Sequence, residues 1–508
     1  MDAFLATLSL IFSHSATALL LQIMNRLAQK SIHSGLTFVI KQPLKNMKRN
    51  NISRRNFLKY LGAGAVVAAA TGCRKSGETE AAGTSRNGGV RTMTRRTNPS
   101  TGDSVSILGY GCMRWPTVKN ADGEEVIDQD MVNKLVDRAI EGGVNYFDTS
   151  PAYCKGKSEE ATGIALSRHP RKSYFIATKL SNFAPETWSR EKSIEMYRNS
   201  LKYLRTDYID YMLLHGIGMG GMDALHGRYL DNGVLDFLVA EREAGRIRNL
   251  GFSYHGDIEV FDYLLSQHDK YKWDFVQIQL NYLDWLHAAE TNPRNTNAEY
   301  LYGELHKRGI PAVIMEPLLG GRLASMSNSL TAMLKQRRPD DSVASWAFRY
   351  AGTPEGVLTV LSGMTYMDHL EDNLRTFSPL HPVTPEEDKL LQQVAYLLLS
   401  YPTVPCTACK YCMPCPIGLD IPAIFAHYNK CVEEGNVPAG SRDPNYEKER
   451  KAFLLGYDRS VPKLRQADHC IACGECTPHC PQTIDIPARM ADINAIVEKL
   501  KQNKLEEV

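Results

Sequence analysis

The folded part of this chain lacks a basic excess. Residues 1–96 hold 15 of the 59 Lys and Arg residues but 3 of the 57 Asp and Glu residues, so residues 97–508 carry 44 basic against 54 acidic side chains. The net charge of +2 therefore hides a basic leader ahead of a mildly acidic body. A nucleic-acid face needs Lys and Arg clustered on the folded surface, so no nucleic-acid partner is expected. Scattered cysteine pairs are also lacking. Eight of the 12 cysteines fall in two tight groups near the C-terminus, a pattern of metal ligation rather than of a disulfide framework. The run Gly109-Tyr110-Gly111-Cys112-Met113 has no third glycine, which argues against a doubly wound dinucleotide-binding sheet. There is no flavin fingerprint either. What remains is an ordinary globular composition, 43% hydrophobic and 23% charged over 508 residues, with room for one large domain and at least one small one.

The leader divides into three parts. Ala3 to Asn25 carries no Asp, Glu, Lys or Arg and is long enough to span a membrane. A complete signal peptide nevertheless begins at Met47, so residues 1–46 read as an over-extended start. Residues 47–73 combine Lys48, Arg49, Arg54 and Arg55 with an apolar stretch from Leu61 to Ala70. Ser53-Arg54-Arg55-Asn56-Phe57-Leu58-Lys59 resembles the twin-arginine export motif. Ala70-Thr71-Gly72-Cys73 resembles a lipoprotein cleavage box, which would attach a lipid at Cys73. Residues 74–96, rich in Gly, Ser, Thr and Arg, read as a disordered tether. The implied location is extracytoplasmic, periplasmic or membrane-anchored, with the lipid as the membrane contact.

From residue 97 to 383, apolar β-type runs alternate eight times with amphipathic helical patterns. The runs begin at Val105, Asn145, Tyr174, Tyr208, Asn249, Phe275, Ala312 and Val357, with helical patterns such as Gln129–Glu141, Arg190–Leu204 and Asn297–Arg308 between them. Eight β–α units in this length predict an α/β fold, a (β/α)8 TIM barrel, with function at the C-terminal ends of its strands. Asp148 and Tyr153 follow the second run, Lys179 ends the third and His215 ends the fourth. Their order and local motifs resemble the catalytic tetrad of the aldo-keto reductases. Reduction of a carbonyl by hydride needs a proton donor at the developing alkoxide. Tyr153 would be that acid/base. Lys179 would lower its pKa, Asp148 would hold Lys179, and His215 would orient the carbonyl. Taken singly, each residue could equally be a cap, a packed aromatic, a rim ion pair or a satisfied core histidine.

The same resemblance implies contacts to NADP or NAD. They are Gly111 after the first strand, Ser253 after the fifth, and Gln277 and Asn281 on and after the sixth. After the seventh come Glu316, Pro317, Leu318, Gly320 and Arg322, and around the eighth Ser362, Gly363, Met364, Asp372 and Asn373. Cys154 stands where the family has Gly after the catalytic Tyr. No Lys/Arg pair follows Gly363, which leaves the choice of dinucleotide open. Cys112 and Cys154 read as packed thiols.

Residues 384–508 read as a mostly helical ferredoxin-like domain. Cys406, Cys409, Cys412 and Cys415 are spaced C-x2-C-x2-C-x2-C-P; Cys470, Cys473, Cys476 and Cys480 are spaced C-x2-C-x2-C-x3-C-P. The second is the bacterial ferredoxin run, in which the fourth Cys ligates the other cluster. On that pattern one [4Fe–4S] cluster takes Cys406, Cys409, Cys412 and Cys480, and a second takes Cys470, Cys473, Cys476 and Cys415. Zinc is the alternative for C-x2-C pairs. Cys415-Pro-Ile-Gly-Leu-Asp-Ile-Pro-Ala repeats as Cys480-Pro-Gln-Thr-Ile-Asp-Ile-Pro-Ala. Asp420 and Asp485 are placed to cap the helix that leaves each cluster loop.

Two functions follow as expectations. One is an oxidoreductase interconverting a small carbonyl and an alcohol with NAD(P), its clusters serving electron transfer or docking to a redox partner protein. The other is an iron–sulfur electron carrier that uses the barrel as a scaffold. Twin-arginine transport moves folded proteins and so suits a cluster assembled before export.

Overall fold

The computed structural model describes residues 92–504, except Pro481; the leader motifs and Cys73 lie outside the described residues. Eight parallel strands close a barrel in sequence order: β1 (Leu108–Gly111), β2 (Tyr146–Asp148), β3 (Phe175–Leu180), β4 (Ile209–Ile217), β5 (Ile247–Tyr254), β6 (Phe275–Gln279), β7 (Ala312–Met315) and β8 (Val357–Ser362). A helix follows each: α1 (Gln129–Glu141), α2 (Ser158–Leu166), α3 (Arg190–Tyr203), α4 (Val234–Glu243), α5 (Ile258–Ser266), α6 (Ala298–Lys307), α7 (Val343–Gly352) and α8 (Met367–Phe377). This is the expected TIM barrel. Parallel strands covered by helices are buried on both faces, and β4 is buried along its whole length.

One strand start shifts. Val105 belongs to a separate hairpin, in which Arg95–Thr97 pairs antiparallel with Ser104–Ser106, and the barrel strand begins at Leu108. From the hairpin, Asn98 reaches into the barrel floor and bonds the Tyr211 hydroxyl (3.1 Å) and Asn249 Oδ1 (2.9 Å). Above it Tyr146, Tyr211 and Phe275 stack edge to face, with Tyr211 centroids 4.9 and 5.1 Å from its neighbours. The interior is therefore packed, and a small molecule has access from the C-terminal rim alone.

Register then fixes the rim. Asp148 pairs with Gly111 and Ala177, and Lys179 with Leu213, so the ends of β1 to β4 reach one level.

Helix α9 (Pro385–Leu399) falls within the segment assigned by sequence to the C-terminal domain. Its Leu391, Val394, Ala395 and Leu398 nevertheless pack into the barrel's core. Beyond it α10 (Ile421–Glu434), α11 (Tyr446–Ser460) and α12 (Ile486–Lys501) enclose a second core around Ile424, Phe425, Phe453, Tyr457, Met490 and Ile493. Asp420 and Asp485 cap α10 and α12 by accepting from the Ala423 and Ala488 N–H groups, and proline occupies the first turn of both helices. Among the described residues no helix is long and apolar enough to cross a membrane.

Candidate active site and iron–sulfur sites

The strand ends bring the four predicted catalytic residues together. Lys179 is buried and donates to Asp148 Oδ1 at 2.5 Å and to the Thr149 carbonyl at 2.9 Å. Its ammonium lies 5.0 Å from the centroid of the Tyr153 ring. His215 meets that ring edge to face at 5.9 Å. Burial opposes charge on Asp148, Tyr153 and His215. It raises the Asp148 carboxyl, although Lys179 and Gln277 pull the other way. It lowers His215 well below the usual imidazole range, reinforced by Lys179 and Arg228. His215 is therefore neutral. Its Nδ1 is engaged by the Ser181 hydroxyl at 2.6 Å, and Ser181 in turn by Ser150 at 2.8 Å. If Ser181 donates to Nδ1, Nε2 carries the proton toward the pocket.

Tyr153 is the fourth member. Burial, then the Asp148 charge and the Tyr411 phenol, push its hydroxyl well above the ordinary phenol range, so it is uncharged at neutral pH. Two further features were not legible in the sequence. Cys154 and Lys155 hold left-handed φ of 51° and 54°, which explains why a glycine would suit position 154. Tyr411, from the cysteine-rich domain, lies within electrostatic range of Tyr153, Asp148 and Glu316. Cys112 is buried beneath the site and Cys154 half-buried beside it.

The residues expected to hold a dinucleotide are placed less simply. Gly111 packs on the Ser362–Gly363 backbone. Ser253 accepts from the Gly216 N–H at 2.9 Å, and Gln277 donates to Asp148 Oδ2 at 3.2 Å. Asn281 donates to Asp284 Oδ2 at 2.6 Å, and Asn373 donates to Ser362 at 2.9 Å. Met364 is buried and its carbonyl accepts from Tyr110, whereas Asp372 accepts from Ser342 and Arg375. Pro317 is buried beside Leu318, and Glu316 has a buried Oε2 with no partner and a φ of 51°. Burial and the nearby Asp284 push the Glu316 carboxyl to about 7.

Gly320 and Arg322 do not face open space. A Cβ at Gly320 would collide with the Thr407 backbone. Arg322 donates to Thr403 at 2.9 Å. Arg114, after β1, donates to the Thr407 carbonyl at 2.9 Å. The expected pyrophosphate loop is thus covered by the chain's own C-terminal domain, and the fit to a dinucleotide fails there.

The cysteines do fit a cluster. Cys406, Cys409, Cys412 and Cys480 line one cavity with Thr407, Phe425, Gln482 and Ile486. This joins the first three thiols of one motif to the last of the other. The side-chain amide of Gln482 and the hydroxyl of Thr407 are buried there without partners, as donors to cluster sulfides would be. Among the described residues no three His, Cys, Asp or Glu side chains converge closely enough for a single metal ion. Cys470, Cys473 and Cys476 are near enough to influence one another. Cys431 belongs to neither group and is buried against His427.

Comparison with known proteins agrees with this division. The profile of the Aldo/keto reductase family matches residues 107–395, and that of a 4Fe-4S dicluster domain matches residues 405–484. An uncharacterized oxidoreductase, YqkF, of Bacillus subtilis is 26% identical over 309 residues, covering 57% of this chain and 92% of its own. The L-galactose dehydrogenase of Arabidopsis thaliana is 24% identical over 314 residues, covering 59% and 92%. A solved aldo-keto reductase from Bacillus halodurans superposes with a TM-score of 0.47 at 24% identity, covering 59% of this chain and 96% of its own. A match over more than half its length, on a barrel with this rim, makes the chain a member of the aldo/keto reductase family that carries a 4Fe-4S domain behind its barrel.

Proposed function

We propose that the barrel interconverts a small carbonyl compound and its alcohol, with Tyr153 giving and taking the oxygen's proton. The observation that carries this reading is the buried Asp148–Lys179 pair placed against the Tyr153 ring, with neutral His215 on the ring's edge. The substrate oxygen would sit between the Tyr153 hydroxyl and the His215 imidazole. Both groups are uncharged at neutral pH, so both can donate without first losing a charge. Developing negative charge on that oxygen is favoured by the Lys179 ammonium in a dry site.

Hydride delivery from NADP or NAD would need the β7 loop that Thr407 covers; without hydride, the two electrons would have to arrive one at a time through the clusters from a redox partner, with the second proton taken from solvent. The eight clustered cysteines would hold two [4Fe–4S] clusters, which supply one-electron transfer when bound and suit a redox partner protein. Export by the twin-arginine route, with a lipid on Cys73, belongs to the same reading.

The test is reduction of a panel of aldehydes and ketones by anaerobically purified protein, with NADPH, NADH and a reduced viologen each tried as donor. Tyr153→Phe keeps the ring and should cost ~10²–10⁴-fold in turnover, the usual share of a general acid. A Phe variant as active as the parent would remove Tyr153 from the chemistry.

A further inference from the structure

In barrels of this kind phosphate groups bind at the loops after strands 7 and 8, where N–H donors and cations face the ligand. Here that rim is bridged. The β8 loop packs on Arg114: Gly363 lies against its side chain and Thr365 donates to its carbonyl at 2.9 Å. Arg114 in turn donates to Thr407, whose backbone lies on Gly320 of the β7 loop. Arg114 donates to the Thr407 carbonyl and Arg322 to Thr403, with Arg322 Nε buried and without a partner. Glu316 adds a carboxyl, with one oxygen buried and unpartnered, on a loop where a phosphate would need donors.

We infer that the segment Thr403–Thr407 occupies the track a nicotinamide dinucleotide would need, so that the docked protein binds neither NADP nor NAD. Gly320 is the hinge of the argument. Its φ of 67° and its contact with the Thr407 backbone both require glycine, so the loop is shaped to receive the cluster-bearing segment. The same four residues, Arg114, Gly320, Arg322 and Thr407, cannot serve the segment and a pyrophosphate together.

The inference concerns the barrel's cofactor and is independent of whether carbonyls are the substrate, because binding is measured without one. NADPH and NADH are titrated separately into the full chain, purified anaerobically with its iron, and followed by calorimetry and by hydrogen exchange. The expected result is no saturable heat with either nucleotide and no change in exchange at residues 316–322. In Gly320→Ala and Arg322→Ala, exchange should rise at residues 403–411 and 316–322 while β3 and β4 stay protected; Arg322→Ala adds no bulk and guards against a folding defect in the first. Saturable binding at micromolar NADPH or NADH to the parent protein, with new protection at residues 316–322, would overturn the inference, and would do so whether or not Tyr153→Phe retains activity. Unchanged exchange at residues 403–411 in both variants would overturn the docking.

Discussion

Lys179 is the residue on which the site's electrostatics turn. It is buried with Asp148, and each is expensive to desolvate without the other. The pair is held by the barrel itself, because strands β2 and β3 carry the two side chains at adjacent ends. Lys179→Met preserves length and removes the charge, which leaves Asp148 an uncompensated buried carboxylate. The expected loss of stability is about 3–5 kcal/mol by chemical denaturation, and Lys179→Met/Asp148→Asn together should recover part of it. A loss of about 0–1 kcal/mol, typical of an exposed pair, would mean that the two charges are hydrated. The tetrad was legible because strand-end position is written in period and motif. Gln277 and Asn281 were legible as rim residues, but their partners, Asp148 and Asp284, were not, since a side chain's hydrogen bond is chosen by its neighbours in space. The approach of Tyr411 to the charges of the site was invisible for a similar reason. Tyr411 lies more than 250 residues after Tyr153, and no spacing rule links a ferredoxin loop to a barrel mouth.

At the scale of elements, α9 shows how a helix is pinned where two domains meet. Thr384 and Glu387 form a reciprocal capping box, with Glu387 N–H to Thr384 Oγ1 at 3.3 Å and Thr384 N–H to Glu387 Oε2 at 3.1 Å. The same carboxylate accepts from Arg338 at 2.5 Å and from Arg349 at 2.7 Å, tying the cap to α7 and to the C-terminal end of the helix Asn328–Arg337 that precedes it. Burial by itself would raise Glu387, but the bonds from Arg338, Arg349 and the Thr384 backbone outweigh it and hold the carboxyl at about 2. An unfolded Glu titrates near ~4.3. The stabilisation is therefore complete above that pH and is lost as pH falls toward about 2. Glu387→Gln should lower the melting temperature at pH 7, and the gap between variant and parent should narrow steadily from about pH 4.5 downward. A gap independent of pH would show that the carboxylate's charge contributes nothing. The alternation of eight runs made the strands and most helices readable. The assignment of α9 to the second domain was a boundary error with a physical cause. Its apolar periodicity says that one face is buried, not which core receives it.

At the scale of the whole molecule, the two cysteine motifs are interlocked, and this makes the C-terminal domain one cooperative object. Cys480 shares its cavity with Cys406, Cys409 and Cys412, so a cluster bound there closes the chain between them, including all of α10 and α11. Fixing such a long loop removes much of the unfolded chain's freedom, and ligand binding to thiolates is folding free energy. Cys480→Ser should then resemble Cys406→Ser, and not Cys470→Ser, in iron content and in the paramagnetic spectrum of the reduced protein. It should also raise hydrogen exchange in α10, which lies within the loop, and at Thr403–Thr407, which holds the domain to Arg114, Gly320 and Arg322. If Cys480→Ser instead groups with Cys470→Ser, each motif closes its own cluster, the short last gap of the first motif has to be accommodated locally, and the barrel contact is decoupled from the second half of the domain. The repeat of Cys-Pro-x-x-x-Asp-Ile-Pro-Ala leads to the interlocked outcome, because both copies turn at the fourth cysteine into a capped helix. That turn leaves Cys480 on the cavity lined by Cys406, Cys409 and Cys412.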